Sequence, residues 1–248
     1  MLRSPLWQNK WLLWYNMPMR KGQVFWVSGI DTDVGKTVVT GLLARSLLKS
    51  GKDVITVKMV QTGNVGRSED IEAHRRICGL APLPEDLEGL TAPQIFRFPS
   101  SPLLAARLEN RTVDLARISA AVQTCAERHE IVLVESAGGL DVPLTNETLS
   151  ADFAAEQGWP TILVSCGRLG AINHALLSLE AAYLRKLKIV GVIHNWHPQA
   201  GAEIDADAVA AIQRHLKKLG YLAPVIRAPR MDPNGDCPDL DITEIFSP

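Results

Sequence analysis

Gly29-Ile30-Asp31-Thr32-Asp33-Val34-Gly35-Lys36-Thr37 follows an apolar run, Val24-Phe25-Trp26-Val27-Ser28, and opens into a helical pattern over residues 38–48. The order is strand, glycine-bounded loop, helix, which is the context a phosphate-binding loop requires. Successive backbone N–H groups in such a loop converge on phosphate oxygens, and the N-terminal end of the helix adds partial positive charge. Lys36 supplies a full charge toward the outer phosphates, and the Thr37 hydroxyl is a ligand for Mg²⁺. The usual P-loop spacing would put the first glycine at position 30, where Ile30 stands, so this loop is one residue longer. Chance occurrence of Gly-Lys-Thr at a helix start is the alternative, and the flanking strand and helix argue against it.

The 248 residues, 46% of them hydrophobic, suffice for one large α/β domain with a single core. Net charge is −1, so no basic excess points to nucleic acid, and no block of like charge points to a disordered tail. Cys78, Cys125, Cys166 and Cys237 lack metal or redox spacing and read as small hydrophobes of a reducing cytoplasm. Residues 1–22 form an N-terminal extension carrying Trp7, Trp11 and Trp14. It is too short and interrupted to span a membrane and lacks a signal-peptide cleavage site. It reads either as a surface helix or as a product of start-site choice, because Met17 or Met19 would begin the chain just before the first strand. No other segment has the length and apolarity to cross a bilayer.

Strand-length apolar runs alternate with helical patterns. Strands are expected at 24–28, 54–58, 131–135, 161–165, 189–193 and 224–226. Helices are expected at 36–50, 68–78, 103–110, 115–128, 150–157, 172–187 and 205–219, with a proline-rich irregular excursion over 80–102. Fully apolar strands between helices imply a mostly parallel sheet covered on both faces, a three-layer α/β fold of the P-loop NTPase type, in one domain over residues 23–248. Ligands of such sheets bind beyond the carboxyl ends of the strands, so polar residues there are the candidates.

Lys58 closes the second strand, either as a solvated edge charge or aimed at the phosphates, with Thr62 and Gly63 in the following loop. Glu135 ends the apolar strand before Ser136-Ala137-Gly138-Gly139, a Walker-B-like position for Mg²⁺ or, compatibly, an ion pair with Lys36 or Lys58. Asp70, at a helix start, either compensates the helix dipole or binds metal. Gly170-Ala171-Ile172-Asn173 begins a helix whose free N–H groups suit a carboxylate or phosphate. Asn195 suits a purine edge or caps a turn, and His194 and His197 lack metal spacing.

These motifs together resemble the dethiobiotin synthetase family. The long loop Gly29-x-Asp31-Thr32-x-Val34-Gly35-Lys36-Thr37 is similar to that family's nucleotide loop, and Lys58-x-Val60-Gln61-Thr62-Gly63 to its second motif. Ser101-Pro102-x-x-Ala105-Ala106, Glu135-x-Ala137-Gly138-Gly139 with Pro143-Leu144, and Leu169-Gly170-x-Ile172-Asn173-His174 follow in family order. The resemblance implies an ATP-dependent cyclo-ligase that joins CO₂ to the two amines of 7,8-diaminopelargonic acid, closing the ureido ring of dethiobiotin in biotin synthesis. It implies Thr37, Asp70 and Glu135 as Mg²⁺ ligands and Lys36 and Lys58 as the catalytic cations. Thr62, Thr32 and the helix start Gly170, Ala171, Ile172 and Asn173 would bind substrate, that helix start acting from the partner subunit of a homodimer. The nucleotide would be held by Asp33, Val34, Gly35, Lys36, Thr37, Val38, Asp70, Glu135, Ser136, Ala137, Gly138, Asn195, Trp196, Pro229, Arg230 and Met231. Three positions depart from the family pattern: Met59 replaces a usual proline, Ser136 a glycine and Leu103 a common histidine. The rival readings are a P-loop ATPase switch, for which no second lysine lies between Gly29 and Gly35, and an inactive regulatory paralogue of the same fold.

Overall fold

The computed structural model describes residues 22–196, 201–229 and 237–246. The expectations for residues 1–21, His197, Arg230 and Met231 lie outside the described residues.

A parallel six-stranded sheet forms the centre, in the order β2 (Val54–Lys58), β5 (Ile131–Gly139), β1 (Gln23–Gly29), β6 (Thr161–Cys166), β7 (Ile189–Asn195), β8 (Val225–Arg227). A separate parallel pair joins β3 (Gln61–Thr62) to β4 (Ile95–Phe96). The helices are α1 (Lys36–Lys49), α2 (Glu69–Cys78), α3 (Pro84–Leu87), α4 (Pro102–Leu108), α5 (Leu115–Arg128), α6 (Ser150–Gln157), α7 (Ala171–Leu184), α8 (Ala202–Leu219) and α9 (Thr243–Phe246). The residues of β2 and β6 are buried throughout, as strands covered on both faces must be. Trp26, Ile55, Leu133 and Ile162 of the sheet, with Leu42 and Leu43 of α1, fill the core. Each large aliphatic side chain so buried contributes about 1.5–3 kcal/mol.

The expected alternation is present, with differences that have physical causes. The strand after α1 does not flank β1: β5 inserts between them, pairing Lys58 with Glu135 on one side and Val27 with Glu135 on the other. β5 runs to Gly139, past the expected end at Glu135, because it keeps company with β1 up to Gly29. The 80–102 excursion contains α3 and β4, organised by the buried Arg75, which bonds Asp86 at 2.9 and 2.8 Å and Thr56 Oγ1 at 2.9 Å. α8 begins three residues earlier than expected, which puts Asp205 in its first turn. At the opposite end, α9 lies on β7 at Gly191, where an added Cβ would fall 2.5 Å from Ile245 Cδ1. No helix among the described residues is long and apolar enough to cross a membrane.

Candidate active site

The glycine-bounded loop leaves the carboxyl end of β1 at the centre of the sheet. Ile30, the surplus residue, is buried, and its N–H donates to the Val164 carbonyl at 2.9 Å. The longer loop therefore starts by extending the β1–β6 pairing. Asp33 then turns with φ 56° and Gly35 with φ 89°. At Gly35 a side chain is excluded twice over: φ is left-handed, and a Cβ would sit 2.1 Å from Asn195 Nδ2. That amide donates instead to the Val34 carbonyl at 2.9 Å, so Asn195 braces the loop from β7. Lys36 curls back and donates to the Asp31 carbonyl at 2.8 Å. Burial, then the nearby Lys58 charge, lowers its pKa to about 8.

Register brings Lys58, the last residue of β2, beside Glu135, midway along β5. Lys58 Nζ donates to Glu135 Oε1 at 2.7 Å and to the Ser136 carbonyl at 3.1 Å, and lies 2.6 Å from Asp70 Oδ2. All three ammonium hydrogens are thus engaged. Burial alone would lower the Lys58 pKa, but the Glu135 and Asp70 charges outweigh it and raise it. Burial would likewise raise that of Glu135, yet Lys58 and His74 hold it well below the usual carboxylate range. Thr37 Oγ1 stands 3.1 Å from Asp70 Oδ1 and 3.0 Å from Glu135 Oε1. Three oxygens from the start of α1, the first turn of α2 and the middle of β5 therefore converge.

Thr32, Asp33, Gly35, Lys36, Thr37, Lys58, Thr62, Asp70, Glu135, Ala137 and Gly138 line one cleft of about 830 Å³, closed on a further side by residues 99–102. A larger cavity of about 1120 Å³ lies beyond the 63–68 loop and contains none of these groups. Val34 is buried in the core, and Val38 packs half-buried against the core and does not line the cleft. Asn195 is the last residue of β7, with Trp196 just after it and Pro229 just past β8, on the other side of the loop from Lys58. Gly170, Ala171, Ile172 and Asn173 do not line the cleft; they begin α7, whose flanking Arg168 and His174 pair with Asp31, His174 at 3.1 Å. Met59 and Ser136 are buried, Leu103 is half-buried, and none of the three lines the cleft. Ser136 Oγ bonds Ser28 Oγ at 3.0 Å instead. His194 is not a ligand: Ser165 and Asp205 take its two ring nitrogens at 2.9 and 2.7 Å.

Sequence reasoning passed over His74. It is fully buried on α2, four residues after Asp70, and its Nε2 lies 2.8 Å from Glu135 Oε2. The spacing was the available signal, since residues i and i+4 share a helix face.

A parallel sheet with a glycine-bounded loop between β1 and α1, a buried lysine opening that helix and a threonine next to it define a P-loop α/β protein. A family model described as an AAA domain matches residues 23–230. The MinC:MinD cell division protein complex of Aquifex aeolicus superposes with TM-score 0.51 over 86% of this chain and 83% of that one, at 17% identity, a likeness of fold. The ATP-dependent dethiobiotin synthetase BioD of Chlorobaculum tepidum is 45% identical over 87% of this chain and 90% of its own length. The ATP-dependent dethiobiotin synthetase BioD 2 of Pasteurella multocida is 41% identical over 79% and 92%. The chain belongs to the dethiobiotin synthetase family.

Proposed function

We propose that this chain is an ATP-dependent dethiobiotin synthase, which closes the ureido ring from 7,8-diaminopelargonic acid and CO₂. The observation that carries the reading is the meeting of Lys36, Lys58, Thr37, Asp70 and Glu135 in one cleft, in a chain with close dethiobiotin synthetase relatives. One amine of the substrate adds to CO₂ and loses a proton, giving a carbamate anion. A carbamate oxygen then attacks the γ-phosphorus of ATP, the bond to the β-phosphate oxygen breaks, and ADP departs. The second amine attacks the carbonyl of the mixed anhydride, and phosphate leaves as the ring closes. No step needs a nucleophilic side chain.

The difficulty is electrostatic, because one anion must attack another. Preorganised cations offset that repulsion at the transferring phosphoryl group. Lys36 would leave the Asp31 carbonyl for the phosphates. Lys58 would exchange one of its three acceptors for the carbamate. Thr62 and Thr32, which line the cleft, would position the diamine, and Asn195, Trp196 and Pro229 the base.

The three convergent oxygens of Thr37, Asp70 and Glu135 fit Mg²⁺, which takes oxygen ligands and few protein carboxylates. These residues would hold the ion, and it would neutralise charge on the phosphates. A homodimer is supported by Leu169, Leu177 and Leu184, exposed by 85, 58 and 78% at the start and along one face of α7. The thiols of Cys78, Cys125 and Cys166, none in a disulfide, support a cytoplasmic location. Incubation with the diamine, bicarbonate and MgATP is expected to form dethiobiotin. ATP hydrolysis indifferent to the diamine would reject the reading.

A further inference from the structure

Glu135 has two carboxylate oxygens, and the reaction as read above uses one of them. Oε1 faces Lys58 and Thr37. Oε2 faces away from the cleft and meets His74 Nε2 at 2.8 Å, with both side chains fully buried. A carboxylate only accepts, so His74 Nε2 carries the hydrogen. No other side chain holds Oε2 among the described residues, and His74 Nδ1 is buried without a hydrogen-bond partner there. Burying an imidazole with one nitrogen unsatisfied costs free energy that a leucine at the same position would not. The bond to Glu135 is what the histidine supplies in return.

We propose that His74 is a positioning residue: it fixes the rotation of the Glu135 carboxylate so that Oε1 stays beside Thr37 Oγ1 and Asp70 as part of a divalent-cation site. The helix geometry makes this a single device. Asp70 and His74, one turn apart on α2, converge on Glu135: Asp70 shares Thr37 and Lys58 with Oε1, and His74 meets Oε2. A shift of α2 would therefore move both a ligand and the support of another ligand together. Groups that orient a metal ligand from behind commonly change metal affinity by about 10–100-fold when removed. The inference rests on the reading of Thr37, Asp70 and Glu135 as cation ligands.

The test measures binding, not only turnover. Mn²⁺ affinity in the presence of ADP would be followed by electron paramagnetic resonance, and ADP affinity in EDTA by calorimetry, for the full chain and for His74→Gln, His74→Asn and His74→Leu. Gln can place a donor nitrogen near Nε2; Asn is one bond shorter, and Leu has no donor. The expected result is near-wild-type Mn²⁺ affinity for H74Q, a loss of about tenfold or more for H74L and H74N, and unchanged metal-free ADP affinity in all. Should H74L not fold, the H74Q and H74N pair decides. Equal Mn²⁺ affinity in all folded variants overturns the positioning role while leaving the cation site intact. A wild-type chain whose ADP binding ignores divalent cations overturns the cation site and this inference with it. Equal losses in H74Q and H74N assign His74 to packing alone and likewise overturn the proposal.

Discussion

Lys58 and Glu135 are direct register partners on β2 and β5, and their buried charged ends meet at 2.7 Å in the wall of the cleft. Removing one member of a buried pair leaves the other charge uncompensated, at a cost of about 3–5 kcal/mol. Lys58→Met is expected to lower stability on that scale and to abolish dethiobiotin formation while leaving much of nucleotide binding. The double variant Lys58→Met with Glu135→Gln is expected to recover most of the stability and none of the turnover. Urea unfolding of the four proteins in this cycle measures the coupling. A Lys58→Met protein that turns over at the wild-type rate would remove Lys58 from the mechanism.

The same pair sets a pH window. Glu135 is held below its ordinary 4.5, so its contribution is present above 4.5 and fades as pH falls through the folded value. Lys58 is held above its ordinary 10.5, so its contribution is present below 10.5 and fades as pH rises further. The stability gap between wild type and the Lys58→Met single variant should narrow as pH falls from about 10 toward about 4, because Glu135 without Lys58 takes up a proton more readily in the folded variant. Urea midpoints across that range check it, and a gap that widens in acid would contradict the pairing.

Lys36 runs the other way. Burial lowers its pKa to about 8 from 10.5, so the unfolded chain takes up this proton first as pH falls, and stability declines between those values. Triphosphate placed beside Lys36 would favour the charged form and raise its pKa again. ATP binding at pH 8.5 is therefore expected to take up protons, with less uptake at pH 6.5. Calorimetry in buffers of different ionisation enthalpy reads the uptake directly, and a binding enthalpy independent of buffer at pH 8.5 would count against it.

Gly35→Ala forces a Cβ to within 2.1 Å of Asn195 Nδ2 at a φ of 89°. The loop, the amide or both must move, and the Asn195 bond to the Val34 carbonyl is lost. ADP affinity is expected to fall at least tenfold, with a stability loss of about 1–3 kcal/mol for backbone strain. Asn195→Ala should reproduce part of the affinity loss without the strain. Calorimetry and thermal melts separate the two, and a Gly35→Ala protein with normal ADP affinity would refute the packing argument.

Leu177 and Leu184 lie seven positions apart on the solvent side of α7. Glutamates at both positions are expected to leave the core intact, since neither residue is buried, and to convert a dimer into a monomer in sedimentation equilibrium. Because the 170–173 helix start lies away from its own cleft, the monomer should also lose turnover. Full activity from a wild-type monomer would eliminate the dimer proposal.

Local sequence settled much of this protein. Hydrophobic runs of strand length, separated by helical periodicity, dictated a covered parallel sheet, and the spacing around Gly29, Gly35, Lys36 and Thr37 located the loop where phosphates bind. Chain order alone, however, could not tell that β5 inserts between β2 and β1, because strand neighbours are chosen by long-range packing. That insertion is what sets Lys58 against Glu135 instead of against the loop lysine. For His74 the i, i+4 spacing from Asp70 is a local signal, but its contact with Glu135 exists only because α2 packs beside β5. From sequence Asn195 suits a purine edge or a turn cap; only the placement of β7 brings its amide to the Val34 carbonyl. Sequence proposes which residues carry the chemistry; which of them share a charge, a hydrogen or a buried wall is decided by strand order and helix placement, since those contacts join residues 33 to 161 positions apart.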